Sequence, residues 1–304
     1  MKCVILLSEK SSGSSPFQNL LSQSGCVKRI TKTSHYENET LYWTKAASIL
    51  QLPQLEAVDS EVPIERFKAK VQLIRLLKDN IADYHPPVDE RELIFDGWRQ
   101  LCEQYQPVFL EKSPHHLYQW SAVELILECM DRLKNVPFLV VGLIRNPMDT
   151  IYSQFRRWRT RPESLQNQWL VAYQNLLRLK RMLKSKLVII RYEDVAQSVD
   201  VLRPVFDFCE AKDTSNLQNY FHKKSIGRWK HDRLFGFSLS ADTVALAESY
   251  GYLRRDLINS NGTAIWPTYR ELVRLGYKTK DFSRRSVKGL LASIGYARAA
   301  MHQS

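Results

Sequence analysis

The chain alternates between short uncharged apolar runs and longer stretches in which apolar residues recur at helical spacing. The apolar runs predict strands at 4–7, 107–112, 137–144 and 186–192, with a further short strand at 28–34. The helical spacing predicts helices at 16–23, 39–52, 65–84, 91–104, 117–133, 148–158 and 165–183, and then an irregular helical region. Charge-free, branched strands separated by helices are typical of parallel sheets. The pattern therefore predicts an α/β fold with a central parallel sheet flanked by helices.

Length and composition limit the class of protein. The 304 residues, 44% of them hydrophobic, predict one domain over 1–265 and a basic helical extension over 266–304, packed on the domain or trailing it. No apolar run approaches the roughly 20 residues that span a bilayer, and the start MKCVILLSEK is typical of a buried strand rather than a signal peptide. Five cysteines without CxxC spacing argue against a disulfide framework and a zinc site, and they favour a reducing, cytoplasmic location.

The formal net charge of +12 indicates an anionic partner or simply a solubilising surface. Nucleic acid, an acidic membrane surface and a small polyphosphate all fit the charge, so the motifs have to distinguish them. A basic amphipathic segment at 283–304 is expected to be a helix with a solvated face rather than a membrane-binding one.

The first motif lies between the first strand and the first helix, in the sequence SEKSSGSS from Ser8 to Ser15. Gly13 permits a tight turn, and amide groups at the start of a helix favour a phosphate. Lys10 adds a cation, and hydroxyl groups come from Ser11, Ser12, Ser14 and Ser15. The loop is neither a Walker A motif nor GxGxxG, since no second glycine precedes a Lys-Ser/Thr pair.

Two more motifs have the chemistry of anion binding. Arg145 ends the best-defined strand and Ser153 lies eight residues later in the next helix, so a guanidinium and a hydroxyl can meet at one phosphate. The segment FHKKSIGRWK combines cations, one glycine and an aromatic ring; its candidate residues are Lys223, Lys224, Ser225, Gly227, Arg228 and Trp229. Except for this last loop, every motif follows a predicted strand, where α/β sheets bind ligands.

Together these motifs resemble the sulfotransferases that use 3'-phosphoadenosine 5'-phosphosulfate (PAPS), over most of the chain from Cys3 to about Asp232. The resemblance implies a P-loop NTPase-like architecture without a metal, with a 5'-phosphosulfate loop at Ser8–Ser15 and a 3'-phosphate motif in LIRNPMDTIYS. RYEDV is similar to the family segment whose tyrosine, here Tyr192, lies near adenine. FHKKSIGRWK is similar to the late loop over the 3'-phosphate, and FLEKSPHH to the EKSP strand end.

The sequence departs from the family in two loops. Aligned on Gly13, the family's basic residue falls on Ser11, so either Lys10 takes that role or another cation such as Lys112 contributes. In the late loop Lys224 replaces a glycine of the family. The loop stays cationic, but the substitution changes how its backbone approaches the 3'-phosphate.

The resemblance implies transfer of a sulfuryl group from PAPS to an acceptor hydroxyl, leaving adenosine 3',5'-bisphosphate, and this chemistry needs a base for the acceptor proton. His35, which follows the second strand, is the first candidate for the base. Glu37 and Glu39 are alternatives, and Glu111 and His115 follow another strand. Residues 36–105 are expected to determine which acceptor is used, and a carbohydrate or glycolipid hydroxyl is the expected acceptor. No nucleic acid and no membrane insertion are expected, and the oligomeric state stays open.

Two other functions are kept open. A magnesium-dependent phosphoryl-transfer enzyme would share the nucleotide-binding class, but the chain has no Walker lysine and no obvious magnesium-binding aspartate after a strand. A non-enzymatic polyanion-binding protein would carry its cations along one face, interleaved with aromatic residues. Here the informative cations lie at strand ends and in loops instead.

Overall fold

The computed structural model describes residues 1–35, 37–57, 61–211, 214, 217–260, 271–273 and 275–276. Its sheet has five parallel strands in the order β2-β3-β1-β4-β5. The strands are β1 (Lys2–Ser8), β2 (Val27–Arg29), β3 (Val108–Lys112), β4 (Phe138–Ile144) and β5 (Leu187–Arg191). Because all strands run the same way, their carboxyl ends form one edge, where Leu6 pairs with Lys112 and Ser8 with Leu143. The predicted α/β fold is confirmed.

Helices cover both faces of the sheet. They are α1 (Ser14–Ser22), α2 (Tyr42–Ile49), α3 (Arg66–Asn80), α4 (Glu90–Gln104), α5 (His115–Tyr118), α6 (Trp120–Arg132), α7 (Pro147–Trp158), α8 (Pro162–Leu183), α9 (Tyr192–Gln197), α10 (Arg203–Cys209) and α11 (Ala241–Ser249). The two faces follow from the period-two pattern of β1. Cys3, Ile5 and Leu7 pack with α2, α4, α6 and α8, whereas Val4 and Leu6 pack with α1, α9 and α10.

Besides shorter helix ends, as in α2 and α3, two differences from the predicted elements stand out. The strand expected over 28–34 has only three residues, because the chain leaves the sheet after Arg29 and the Lys32 carbonyl accepts a hydrogen bond from the Asn80 side chain instead. The helix expected over 117–133 is divided at Gln119, whose backbone is extended and whose side-chain amide binds the Leu55 backbone. The first difference releases residues 30–35 and 37–41 to reach the carboxyl edge of the sheet.

Burial of aromatic side chains stabilises the larger face of the core. Trp43 of α2 and Trp98 of α4 are fully buried with ring centroids 4.6 Å apart, and Tyr42 lies edge-on to both. Each such side chain contributes about 2–3 kcal/mol through burial. This cluster fixes α2, and therefore the loop that precedes it, relative to the sheet.

Three further observations bear on the sequence-based expectations. No described helix is long and apolar enough to cross a membrane. All five cysteines are free thiols. Apart from a few residues between 271 and 276, the predicted extension 266–304, with its basic segment 283–304, lies outside the described residues.

Candidate active site

The loop between β1 and α1 is shaped by two residues with left-handed backbone, Ser11 (φ 60°) and Gly13 (φ 98°). A Cβ atom added at Gly13 would lie 2.5 Å from the Tyr192 ring, so only glycine fits here. Ser12 is fully buried and its hydroxyl lies 3.0 Å from that of Tyr173. Among the described residues no side chain caps the N-terminus of α1. The amides of that first turn can therefore bind an anion.

Arg145 joins this loop to the rest of the carboxyl edge. Its guanidinium donates to the Ser11 carbonyl at 3.0 Å and to the Ser225 carbonyl at 2.7 Å, and it lies 4.5 Å from the centre of the Tyr192 ring. The Nε atom is buried without a hydrogen-bond partner in the described part of the chain. Asn146 caps α7 and Pro147 begins it, which places Ser153 two turns along the helix, on the wall of the same cleft. A buried guanidinium with a spare donor is suited to a phosphate.

The segment 221–231 closes one side of this region. Ser225 contacts the Tyr192 hydroxyl at 2.8 Å, and the Gly227 N–H donates to Asp149 at 2.8 Å from a left-handed backbone (φ 70°). Arg228 lines the cavity beside Ser153, whereas Lys223 and Lys224 are exposed and do not line the cleft. The late loop therefore supplies Ser225 and Arg228 to the cleft in this conformation.

Trp229, a candidate for cofactor binding, is a buried core residue here. It is 1% exposed and belongs to a buried cluster with Met148 and Ile151 of α7 and with Phe235, so in this conformation it anchors the loop to α7. Its indole therefore has no open face for an adenine ring.

Burial shifts the protonation of the aspartate beneath this loop. Burial raises the pKa of Asp149 to about 7, although the Arg145 guanidinium opposes the shift. Asp149 therefore titrates close to neutral pH while accepting the Gly227 hydrogen bond.

Carboxylates and cations alternate beside the phosphate loop. Lys112, which ends β3, is fully buried and donates to the Glu39 carboxylate and the Glu37 carbonyl, each at 3.1 Å, and to the Ser15 hydroxyl at 3.4 Å. Lys10 instead pairs with the Glu61 carboxylate at 2.7 Å. Both basic residues considered for the phosphate loop therefore lie close to it. Lys112 contacts the Ser15 hydroxyl, and Lys10 is paired with Glu61.

Glu61 is a site residue that the sequence analysis missed. Its carboxylate lies 3.0 Å from His115 Nε2 and 3.4 Å from His35 Nε2, in addition to its contact with Lys10. These neighbours, His115 first, hold the pKa of Glu61 well below its ordinary value. Burial lowers the pKa of His115, which favours its neutral ring. No local sequence pattern around Glu61 indicates this position, since it depends on where a loop folds back.

His35 is held between two carboxylates and a backbone amide. Its Nδ1 accepts the Glu37 N–H at 3.2 Å, and its Nε2 lies 3.4 Å from Glu61 and 3.9 Å from Glu39. Acceptance at Nδ1 makes the neutral ring the Nε2–H tautomer, whose proton faces the carboxylates.

Glu37 is engaged by two groups across the cleft. It accepts from the Ser15 hydroxyl at 3.0 Å and from Arg157 at 2.7 Å. Although burial raises the pKa of Glu37, these partners lower it below its ordinary value. Arg157 was also missed by the sequence analysis, yet it lies one helical turn after Ser153, and that spacing was a usable signal.

Glu111 lies apart from the cleft. It is fully buried and accepts from Thr40 and Ser113, each at 2.6 Å, with the His116 ring at 3.2 Å. Burial raises the pKa of the Glu111 carboxyl, but His116 and the two hydroxyls more than offset this and leave it below its ordinary value. This network supports the 39–42 backbone.

The cleft itself has a volume of about 300 Å³, and a neighbouring cavity of about 250 Å³ shares four of its residues. The shared residues are Arg145, Ser153, Arg157 and Ser225. The cleft also contains the expected Lys10, Ser11, Gly13, Ser14, Ser15, His35, Glu37, Glu39 and Tyr192. Within the described residues, no group of three metal-ligating side chains could hold a metal ion. Fold and site together define a parallel α/β protein with a cleft at the carboxyl ends of its strands, lined by both cations and carboxylates.

Comparison with known proteins identifies the class. The model of the sulfotransferase family matches residues 4–215, more than half of the chain. The chain therefore belongs to the sulfotransferase family, and its general activity is sulfuryl transfer.

Solved structures agree on the fold. The sulfotransferase domain of the olefin synthase from Synechococcus PCC 7002 has a TM-score of 0.54 at 17% identity, over 83% of this chain and 95% of that chain. A sulfotransferase from Alicyclobacillus acidocaldarius has a TM-score of 0.44 at 15% identity, over 82% and 95%, a likeness too low to carry an argument. No curated protein matches the sequence.

Proposed function

We propose that this sulfotransferase moves the sulfuryl group of PAPS to an acceptor hydroxyl of a carbohydrate or glycolipid. The observation that carries the proposal is the position of Arg145 between the Gly13 loop and Ser225, with a buried Nε that has no partner among the described residues. A donor with phosphates at both ends of a nucleoside supplies anions on both sides of this guanidinium. Free thiols at all five cysteines support the cytoplasmic location that belongs to this proposal.

The donor's two anionic ends would be held by different groups. The α1 amides at Gly13–Ser15, with Lys10 and Lys112, hold the 5'-phosphosulfate and stabilise the charge that develops on the leaving phosphate. Arg145, Ser153 and Arg228 hold the 3'-phosphate, and Arg156 lines the same cavity. Tyr192, which Arg145 covers on one face, positions the nucleoside.

The acceptor proton needs a base beside the phosphosulfate end, and we assign it to His35 acting with Glu61. The neutral His35 ring directs its Nε2 proton toward Glu61, so the carboxylate is the end of this pair that receives a proton. Its present contacts hold the pKa of Glu61 low and make it a weak base, so its basicity has to rise through the loss of the Lys10 contact when donor binds. The Lys10 ammonium now pairs with Glu61, and a bound phosphosulfate competes for it. Glu37 and Glu39 are each held by a cation, Arg157 and Lys112 respectively, and serve to position the loop.

The proposal is tested in two steps. Adenosine 3',5'-bisphosphate at saturating concentration should raise the melting temperature of the protein, and it should do so less for Arg145→Ala. Transfer of labelled sulfate from PAPS to a panel of sugars and glycolipids then reports the reaction. Absence of stabilisation by the bisphosphate, or magnesium-dependent nucleotide hydrolysis without sulfate transfer, contradicts the proposal.

A further inference from the structure

Lys45 is a cation in an unusual place. It lies on α2, all eight residues of which are buried, and it is itself 5% exposed. Its ammonium donates to the Thr40 carbonyl at 2.7 Å, and no described carboxylate lies within 4.0 Å of it. Burial lowers the pKa of Lys45 to about 8, so the group still carries its charge at neutral pH. The buried Glu111 carboxylate favours this charge but does not pair with it directly, and a buried ammonium without a direct partner is costly. An anion bound beside Lys45 would lower that cost.

Lys45 lines a cavity of about 280 Å³, which we call the Lys45 cavity. Its other polar lining residues include Lys32, Thr33, Ser34, Gln72 and Arg75. Lys32, Ser34 and Arg75 are exposed at its mouth, whereas Lys45 is buried. Asp79 is the one carboxylate in the lining, and it lies 3.6 Å from Arg75. Three cations against one carboxylate, with hydroxyl and amide donors between them, favour an anion.

One loop contributes lining residues to both the Lys45 cavity and the donor cleft. Thr33, in the cavity wall, accepts the His35 N–H at 2.9 Å and donates to the Glu39 carbonyl at 3.0 Å. The side chains of His35 and Glu39 line the donor cleft. Residues 32–34 therefore line the Lys45 cavity, whereas His35, Glu37 and Glu39 of the same loop line the donor cleft.

We propose that the Lys45 cavity binds the acid group of the acceptor, a carboxylate, sulfate or phosphate, while the acceptor hydroxyl lies across the loop beside His35 and Glu61. This assignment rests on the proposed function and narrows its substrate class to acidic carbohydrates or glycolipids. A neutral acceptor would leave the Lys45 ammonium without a directly paired anion, with only the more distant Glu111 carboxylate to offset its charge.

The first test asks whether the site exists, independently of any turnover. Protein saturated with adenosine 3',5'-bisphosphate, so that its donor cleft is filled, is titrated with inorganic phosphate by calorimetry. We expect saturable binding that weakens at least tenfold in Lys45→Gln and in Arg75→Gln and is unchanged in Lys184→Gln, an exposed lysine before β5. Lys45 is buried and Arg75 is exposed, so the Arg75 variant still tests the site if the Lys45 variant fails to fold. No phosphate binding, or equal binding by all variants, overturns the proposal.

The second test asks whether the bound acid belongs to an acceptor. Binding of glucuronate and of glucuronamide to the bisphosphate-saturated protein is compared, since the two share their hydroxyls and differ in charge. We expect the acid to bind at least tenfold more tightly than the amide, and this preference to disappear in Lys45→Gln. Equal binding of the two, or no binding of either, overturns the acceptor role. Loss of bisphosphate binding in the wild type would instead contradict the donor assignment, so the two failures are distinct.

Discussion

The Tyr192 ring lies against the backbone of Gly13, so closely that a Cβ atom on Gly13 would be 2.5 Å from it. The contact joins the start of α9, after β5, to the loop after β1, although 179 positions separate the two residues in the sequence. Tyr192 also accepts the His222 N–H at 3.1 Å. Three distant segments are thus held together at the cleft.

Replacing Gly13 by alanine should therefore remove donor binding. The substitution imposes a left-handed backbone on alanine and forces the Tyr192 ring away, at a cost of roughly 2–3 kcal/mol in unfolding free energy. Gly25→Ala is the matched control, because Gly25 also has a positive φ but has nothing within 4 Å of its added Cβ. We expect Gly25→Ala to cost about 1 kcal/mol and to keep bisphosphate affinity. Calorimetry and urea unfolding measure both effects, and equal bisphosphate affinity in the two variants would refute this role of the Gly13 contact.

Arg145→Lys should weaken the binding of adenosine 3',5'-bisphosphate much more than the binding of adenosine 5'-phosphate. Lysine keeps the charge but cannot bind the Ser11 and Ser225 carbonyls together. We expect a loss of about thirtyfold, or about 2 kcal/mol, for the bisphosphate and of threefold or less for the monophosphate. Arg191→Lys, at the end of the neighbouring strand, is the control because Arg191 pairs with Asp194. Equal losses for both nucleotides would mean that Arg145 does not bind the 3'-phosphate.

Glu61→Gln should lower kcat by about a hundredfold while the bisphosphate Kd changes less than threefold. His35→Asn should have a similar effect, and the double variant should be little worse than either single one, because residues that act as a unit give non-additive losses. His85→Asn, at an exposed position, is the control. Steady-state kinetics with labelled PAPS measure the effects. Full turnover in Glu61→Gln would exclude the Glu61 carboxylate as part of the base. Additive losses in the double variant would show that His35 and Glu61 act independently.

Lys45→Met should stabilise the protein at pH 7 by about 2 kcal/mol. The pKa of Lys45 is lowered from 10.5 to about 8 in the folded protein, so the unfolded chain binds the extra proton between these values. Wild-type stability should consequently rise from pH 8 to about pH 10.5, and the advantage of Lys45→Met should shrink over that range. Urea unfolding of both proteins at each pH measures the difference, with Lys184→Met as a flat control. A less stable Lys45→Met at pH 7 would show that the ammonium supports the fold.

Local pattern determined much of this protein. The charge-free run of β4, with every residue buried, and the spacing of Arg145 and Ser153 are properties of neighbouring residues, and the predicted strand, helix and anion motif follow from them. The tight turn predicted for the SEKSSGSS loop likewise needs the glycine at position 13, and this follows from the local sequence alone. Hydrophobic periodicity is sufficient for such elements, because burial on one face is decided within a few residues.

Only the tertiary structure determined which distant charges meet. Glu61 beside Lys10, His35 and His115, the buried Lys45 facing its own cavity, and Trp229 turned into the core depend on where loops return to the sheet. In the sequence, nothing around these lysines, this glutamate or this tryptophan distinguishes them from ordinary surface or core residues. Their pKa values and their access to ligand come from burial and from neighbours far along the chain, which no local pattern contains.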